Sequence, residues 1–94
     1  MSTGAADLAG YAAACCTTFA FVPQLVRVLR RRSASDISLP MFLIFSAGLV
    51  LWLVYGIARG SWPVILANFA TLALSIAILV LKLRFDRHAL EELE

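Results

Sequence analysis

Trp52 and Asn68 are the residues whose chemistry asks for a ligand. An indole offers a flat π face on which the C–H groups of a pyranose ring can stack. An asparagine amide presents two donors and an acceptor that can bond ring hydroxyls. The same aromatic face also suits an adenine-like or drug-like ligand, so the pair by itself defines a platform for a neutral ringed solute and nothing narrower. A second pair, Pro23–Gln24, sets a helix breaker beside an amide. Proline removes a backbone donor and crowds the carbonyl four residues back, and a neighbouring amide can satisfy the group so freed. A static kink is the plainer reading of such a proline. Little else is reactive. The adjacent Cys15 and Cys16 are too close along the chain for ordinary disulfide geometry, and they read as small buried apolar fillers. His88 stands in a charged tail. With no nucleophile–base set and no metal-ligand spacing, the sequence predicts no catalytic residue, no metal, no cofactor and no enzyme.

Something must hold these groups, and composition says in what solvent. The chain has 94 residues, is 62% hydrophobic and 15% charged, and has a mean hydropathy of +0.89. Soluble domains average about half apolar and about a quarter charged, and disorder needs the opposite bias. A chain this short is one domain at most. Residues 8–28, 40–58 and 62–81 each approach or meet the roughly 17–25 residues that cross a bilayer. Asp7 and the arginines that end the first stretch argue against a signal peptide. The expectation is an all-α membrane protein, a three-helix transmembrane bundle occupying residues 1–94 with a charged cytoplasmic tail over 82–94. Short loops predict antiparallel neighbours. Asp36 or Ser38 suits a cap for the second helix, with Pro40 in its first turn. The tail reads as a fraying helix, its last residues set aside as a segment without functional weight.

Charge fixes direction. Arg27, Arg30, Arg31 and Arg32 flank the first loop and Lys82, Arg84 and Arg87 follow the third span, whereas Arg59 stands alone on the other side. The positive-inside rule then puts the N-terminus outside and the C-terminus in the cytoplasm. The net charge of +2 and the basic cluster fit anionic lipid headgroups, and no nucleic-acid partner is expected.

Depth gives the polar groups meaning. By helical rise, Asn68 and Trp52 lie roughly 8–9 Å below the outer surface on helices of opposite direction, whereas Trp62 fits the interfacial belt. Glue between helices is the bland explanation for Asn68, at about 0.6–2 kcal/mol; packing has no need of an indole at that depth. Gly10, Ala13, Ala14 and Thr17, and on the third helix Ala67, Ala70, Thr71 and Ser75, form stripes of small residues that permit close approach. Gly56 and Gly60 read as a loop turn. No acid, lysine or histidine falls at mid-membrane depth, where proton-coupled carriers place a relay. Three helices enclose almost no aqueous path, so a transporter of this size must be an oligomer, most simply a symmetric dimer.

Taken together, Gly10–Ala13, Phe21–Gln24, Ser35–Ser38, Leu51–Gly56 and Leu66–Asn68 resemble the bacterial SemiSWEET sugar transporters, three-helix members of the PQ-loop superfamily and half-size relatives of SWEETs. The resemblance spans about Leu8 to Leu83. It implies a parallel homodimer in the bacterial inner membrane that moves small sugars, mono- or disaccharides, by alternating access; the lack of a mid-membrane relay adds the expectation of uncoupled movement of a neutral solute. Trp52 and Asn68 match the family's sugar pocket, Pro23 and Gln24 its hinge, and Tyr55 and Arg59 its outer gate. Some members carry an acid shortly after that arginine. Here Gly60 and Ser61 follow, which leaves Asp7 as the candidate partner. Two other functions stay open: a non-transporting membrane assembly subunit, or a carrier of another small metabolite such as an amino acid.

Overall fold

In the computed structural model, which describes residues 3–94, the chain forms α1 (Thr3–Arg31), α2 (Leu39–Arg59), α3 (Trp62–Phe85) and a short 3-10 helix, η1 (Ala89–Leu93). The first three are long and apolar enough to cross a membrane. α1 runs unbroken through Pro23. Ser38, not Asp36, caps α2: its Oγ accepts from the Met41 N–H at 3.3 Å, and Asp36 instead meets Arg27 at 3.7 Å. Pro40 and Pro63 each sit in the first turn of a helix, where a missing N–H costs nothing.

Connection lengths decide which helices touch. α2 turns into α3 through Gly60 and Ser61, with Gly60 at φ 66°, a left-handed conformation that glycine adopts without strain. That turn forces α2 against α3. The longer 32–38 segment steps across the bundle, so α3 packs against both α1 and α2 while α1 and α2 make no backbone approach to each other. The two helices joined by the first loop are therefore not neighbours, contrary to expectation; only side chains bridge them. Phe21 of α1 stacks on Phe45 with centroids 5.4 Å apart and meets the edge of Phe42 at 6.1 Å.

Glycine sets the approach at the end distant from the arginine loop. A Cβ on Gly10 would stand 2.6 Å from Pro63 Cβ, and one on Gly56 would stand 2.8 Å from Val64 Cγ1. Gly60 is thus the turn that the sequence suggests, but Gly56 is a packing residue. At the opposite end, Lys82 is fully buried. Its Nζ meets Glu92 at 2.7 Å and Asp86 at 3.2 Å and donates to the Ala34 carbonyl at 2.8 Å. Glu92 also accepts from the Leu39 N–H at 3.0 Å and Asp86 from the Ala34 N–H at 3.4 Å. The segment expected to fray is therefore folded back as a clasp. It joins the end of α3, the first loop and the start of α2. The physical reason is that a lysine at the apolar boundary needs counter-charges, and the two acids of the tail supply them.

Candidate functional site

α3 presents Asn68, Thr71 and Ser75 along one face at i, i+3, i+7, and Lys82 continues that face two turns later. Each is treated differently. Ser75, fully buried, shares a 2.6 Å hydrogen bond with Ser46 of α2, which closes the polar account at that level. Asn68 is half-buried and its Nδ2 donates to the Val64 carbonyl at 2.8 Å. One amide hydrogen is committed, and Oδ1 and the second hydrogen stay available.

Between α1 and α2, with α3 as floor, lies an open groove of about 460 Å³. Trp52 and Asn68 both line it, together with Thr17, Phe21, Phe45 and Thr71. Trp52 and Asn68 also share a smaller recess of about 260 Å³ against Gly10 and Pro63. The two residues that sequence depth places at one level thus face one space. The walls are mostly apolar with few polar groups, as small-molecule sites are. Trp52 is 56% exposed and its indole is held edge-on by Tyr55, centroids 5.4 Å apart. Arg59 lies over the other part of that chain of aromatics, 6.0 Å from the Tyr55 ring centroid. Trp52, Tyr55 and Arg59 therefore form one ladder leading from the groove to the end of α2.

The remaining sequence-derived residues stand apart. Asp7 is exposed on α1, and among the described residues neither Asp7 nor Arg59 enters an ion pair within the protomer. Pro23 is exposed on α1, and so are Cys15 and Cys16, which are not the buried fillers expected because this part of α1 packs on α3 along one face alone. Gln24 lines a separate recess of about 240 Å³ with Phe21, Met41, Phe42 and Phe45, and its side chain makes no hydrogen bond among the described residues. It does not bond the carbonyl that Pro23 frees. Sequence reasoning missed three features. The Phe21–Phe42–Phe45 cluster separates the groove from the Gln24 recess; its signal was three phenylalanines facing one gap, unreadable without the helix order. Thr71 reads as a small packing residue but lines the groove. The Lys82 clasp was legible only as a charge pattern, lysine at i with acids at i+4 and i+10.

Three apolar helices around an open, polar-dotted groove define a small multi-pass membrane protein. The sequence pattern of the PQ loop repeat family matches residues 5–65. The sugar transporter SemiSWEET of Bradyrhizobium diazoefficiens is 54% identical over 78 residues, covering 83% of this chain and 91% of the relative. That of Leptospira biflexa is 48% identical over 77 residues, covering 82% and 91%. Among solved structures, a bacterial homologue of SWEET transporters superposes with a TM-score of 0.80 at 39% identity, covering 84% of this chain and 95% of that one. SemiSWEET in the inward-open conformation superposes at 0.79 with 40% identity, covering 95% and 98%. The chain belongs to the SemiSWEET group of the PQ-loop family.

Proposed function

We propose that two copies of this chain form a parallel homodimer in the bacterial inner membrane, N-termini outside and C-termini cytoplasmic, that carries a small neutral sugar down its gradient by alternating access. The observation that carries this reading is the groove itself. Trp52 and Asn68 face one space that a single protomer leaves open, and a second copy related by a two-fold axis supplies the missing wall. Its symmetry doubles the contact set, giving two indole platforms and two amides. Relatives named as sugar transporters support the substrate class, and a relative caught inward-open supports a carrier that changes shape.

Each predicted role then has a physical basis. The sugar stacks on Trp52, and the uncommitted half of the Asn68 amide bonds its hydroxyls. Pro23 lacks one rung of the α1 hydrogen-bond ladder, so bending there sacrifices less than elsewhere, and Gln24 bonds the freed backbone in one state only. Tyr55 and Arg59 close the outer mouth, with Asp7 of either copy as the counter-charge. The absence of a titratable group at the groove's depth fits uncoupled movement.

Uptake of labelled mono- and disaccharides into proteoliposomes tests the reading. Wild-type protein should equilibrate at least one sugar, and Asn68→Ala and Trp52→Ala should each reduce the rate to near background, because both copies lose the group. A dimer that reaches the membrane and moves no sugar would instead mark an assembly subunit. Uptake of an amino acid but no sugar would mark the third function.

A further inference from the structure

Two threonines line the groove, and their hydroxyls are in opposite states. Thr17 is exposed, and its Oγ1 donates back to the carbonyls of Ala13 and Ala14 at 3.1 and 3.2 Å. That is the ordinary resting state of a threonine in a helix. Thr71 is only 4% exposed, yet its hydroxyl makes no such bond and has no partner among the described residues. No fully buried side-chain nitrogen or oxygen among the described residues lacks a partner, so the accessible surface Thr71 retains must include its hydroxyl. The groove is the space Thr71 lines. An unpaired hydroxyl beneath apolar walls is costly unless something bonds it. The neighbours on the same helix face are satisfied: Ser75 by Ser46, and one side of the Asn68 amide by Val64.

We propose that Thr71 is a specificity-determining residue that bonds one hydroxyl of the transported solute, one turn deeper than Asn68. This rests on the reading of the groove as a sugar site. Asn68 and Thr71 lie i, i+3 on α3, about 4.5 Å apart along the axis, close to the spacing between equatorial hydroxyls on next-adjacent ring carbons. A sugar stacked on Trp52 then meets Asn68 with one hydroxyl and Thr71 with another farther in. Thr71 has both a donor and two acceptor sites open, whereas Thr17 has its proton committed. The depth of the second contact makes the site sensitive to the orientation of one particular ring hydroxyl, because a site built to bond a hydroxyl rejects an analogue that lacks it.

The test uses full-length protein carrying Trp62→Phe, so that Trp52 fluorescence reports binding. Affinities are measured for D-glucose, D-galactose, D-mannose and sucrose, then for monodeoxy analogues of whichever binds tightest. Thr71→Val keeps the shape and removes the hydroxyl. It should weaken the parent sugar about 3- to 10-fold and erase the penalty for deoxygenation at one ring position only. Thr71→Ser should restore both, and Asn68→Ala should flatten a different position. Melting temperature without sugar should hold or rise in Thr71→Val, since an unpaired polar group is removed. Should the valine variant fail to fold, Thr71→Ala gives the same deoxy profile with the hydroxyl absent. Unchanged affinity and profile in the folded variant overturn the assignment of Thr71 alone, as does a uniform loss across all analogues accompanied by a lower melting temperature. Wild-type protein that binds none of the sugars overturns the transport reading, and this assignment with it.

Discussion

At the scale of the residue, the environment of Trp52 separates its two conceivable jobs. Within the protomer Trp52 is 56% exposed, and among the described residues the one ring it meets is that of Tyr55, edge-on. Trp52→Ala should therefore cost the fold no more than about 1.5 kcal/mol while removing the surface on which a ring stacks. The expected outcome is near-complete loss of uptake with a melting temperature within a few degrees of wild type. Trp52→Phe, which keeps a smaller π face, should retain part of the rate. A large fall in stability without a fall in per-molecule transport would return Trp52 to the core. Gly10 offers the converse case. Adding a methyl there brings carbon atoms to 2.6 Å at Pro63, so Gly10→Ala should cost about 1–3 kcal/mol by overpacking and widen the α1–α3 contact beside the recess. Gly4→Ala meets nothing within 4 Å and should be silent in the same thermal melt.

At the scale of the element, the helices were legible and their order was not. Unbroken apolar stretches of about 20 residues between charged punctuation announce three spans, because in lipid a stretch of that length satisfies its own backbone only as a helix. Trp52 and Asn68 could be matched in depth because helical rise is constant. What periodicity does not carry is which helix stands between the other two, and so the phenylalanine cluster and the groove floor at Thr71 stayed hidden. The tail misled for a related reason. Lys82, Asp86 and Glu92 look like solvated charge until a fold brings them to one point. The clasp makes a prediction of its own. Lys82→Met leaves Asp86 and Glu92 facing each other and the Ala34 carbonyl with the Ile37 N–H, at 3.0 Å, as its remaining donor. The penalty should fall below the roughly 3–5 kcal/mol of a broken, fully buried pair, since both carboxylates reach water. The Lys82 ammonium and the Leu39 N–H hold the Glu92 carboxyl below its ordinary value of 4.5. A carboxyl depressed in the folded state binds fewer protons there than in the unfolded chain, so its stabilisation is complete above that ordinary value. It is lost as pH falls through the depressed one. Thermal melts stepped downward from pH 5 should show this acid limb, and Glu92→Gln should flatten it.

At the scale of the whole molecule, the governing fact is thinness. The Cα envelope measures 49 × 26 × 14 Å, long enough to cross a bilayer and too thin to surround anything the size of a sugar. A groove open on one side needs a second copy, and a two-fold axis along the membrane normal keeps both grooves at one depth. Such a chamber has tryptophans, amides and hydroxyls but no group that changes charge near neutral pH. The ionisable residues gather at the ends: Asp7 and Arg59 at one, the arginines and the Lys82 clasp at the other. Coupling to protons requires a site whose protonation alters the relative free energies of the inward and outward states, and a carboxylate locked in a clasp at one end has no path across. Sugar flux should therefore follow its own gradient alone. In proteoliposomes, a transmembrane pH difference or an imposed potential should leave the final internal sugar concentration equal to the external one. Symmetric acidification below pH 4.5 should lower the rate through loss of the clasp without moving that endpoint, and Glu92→Gln should blunt the rate effect. Accumulation above the external concentration under a proton gradient would overturn uncoupled transport. If the accumulation persisted in Glu92→Gln, the coupling group would have to lie elsewhere than in the clasp.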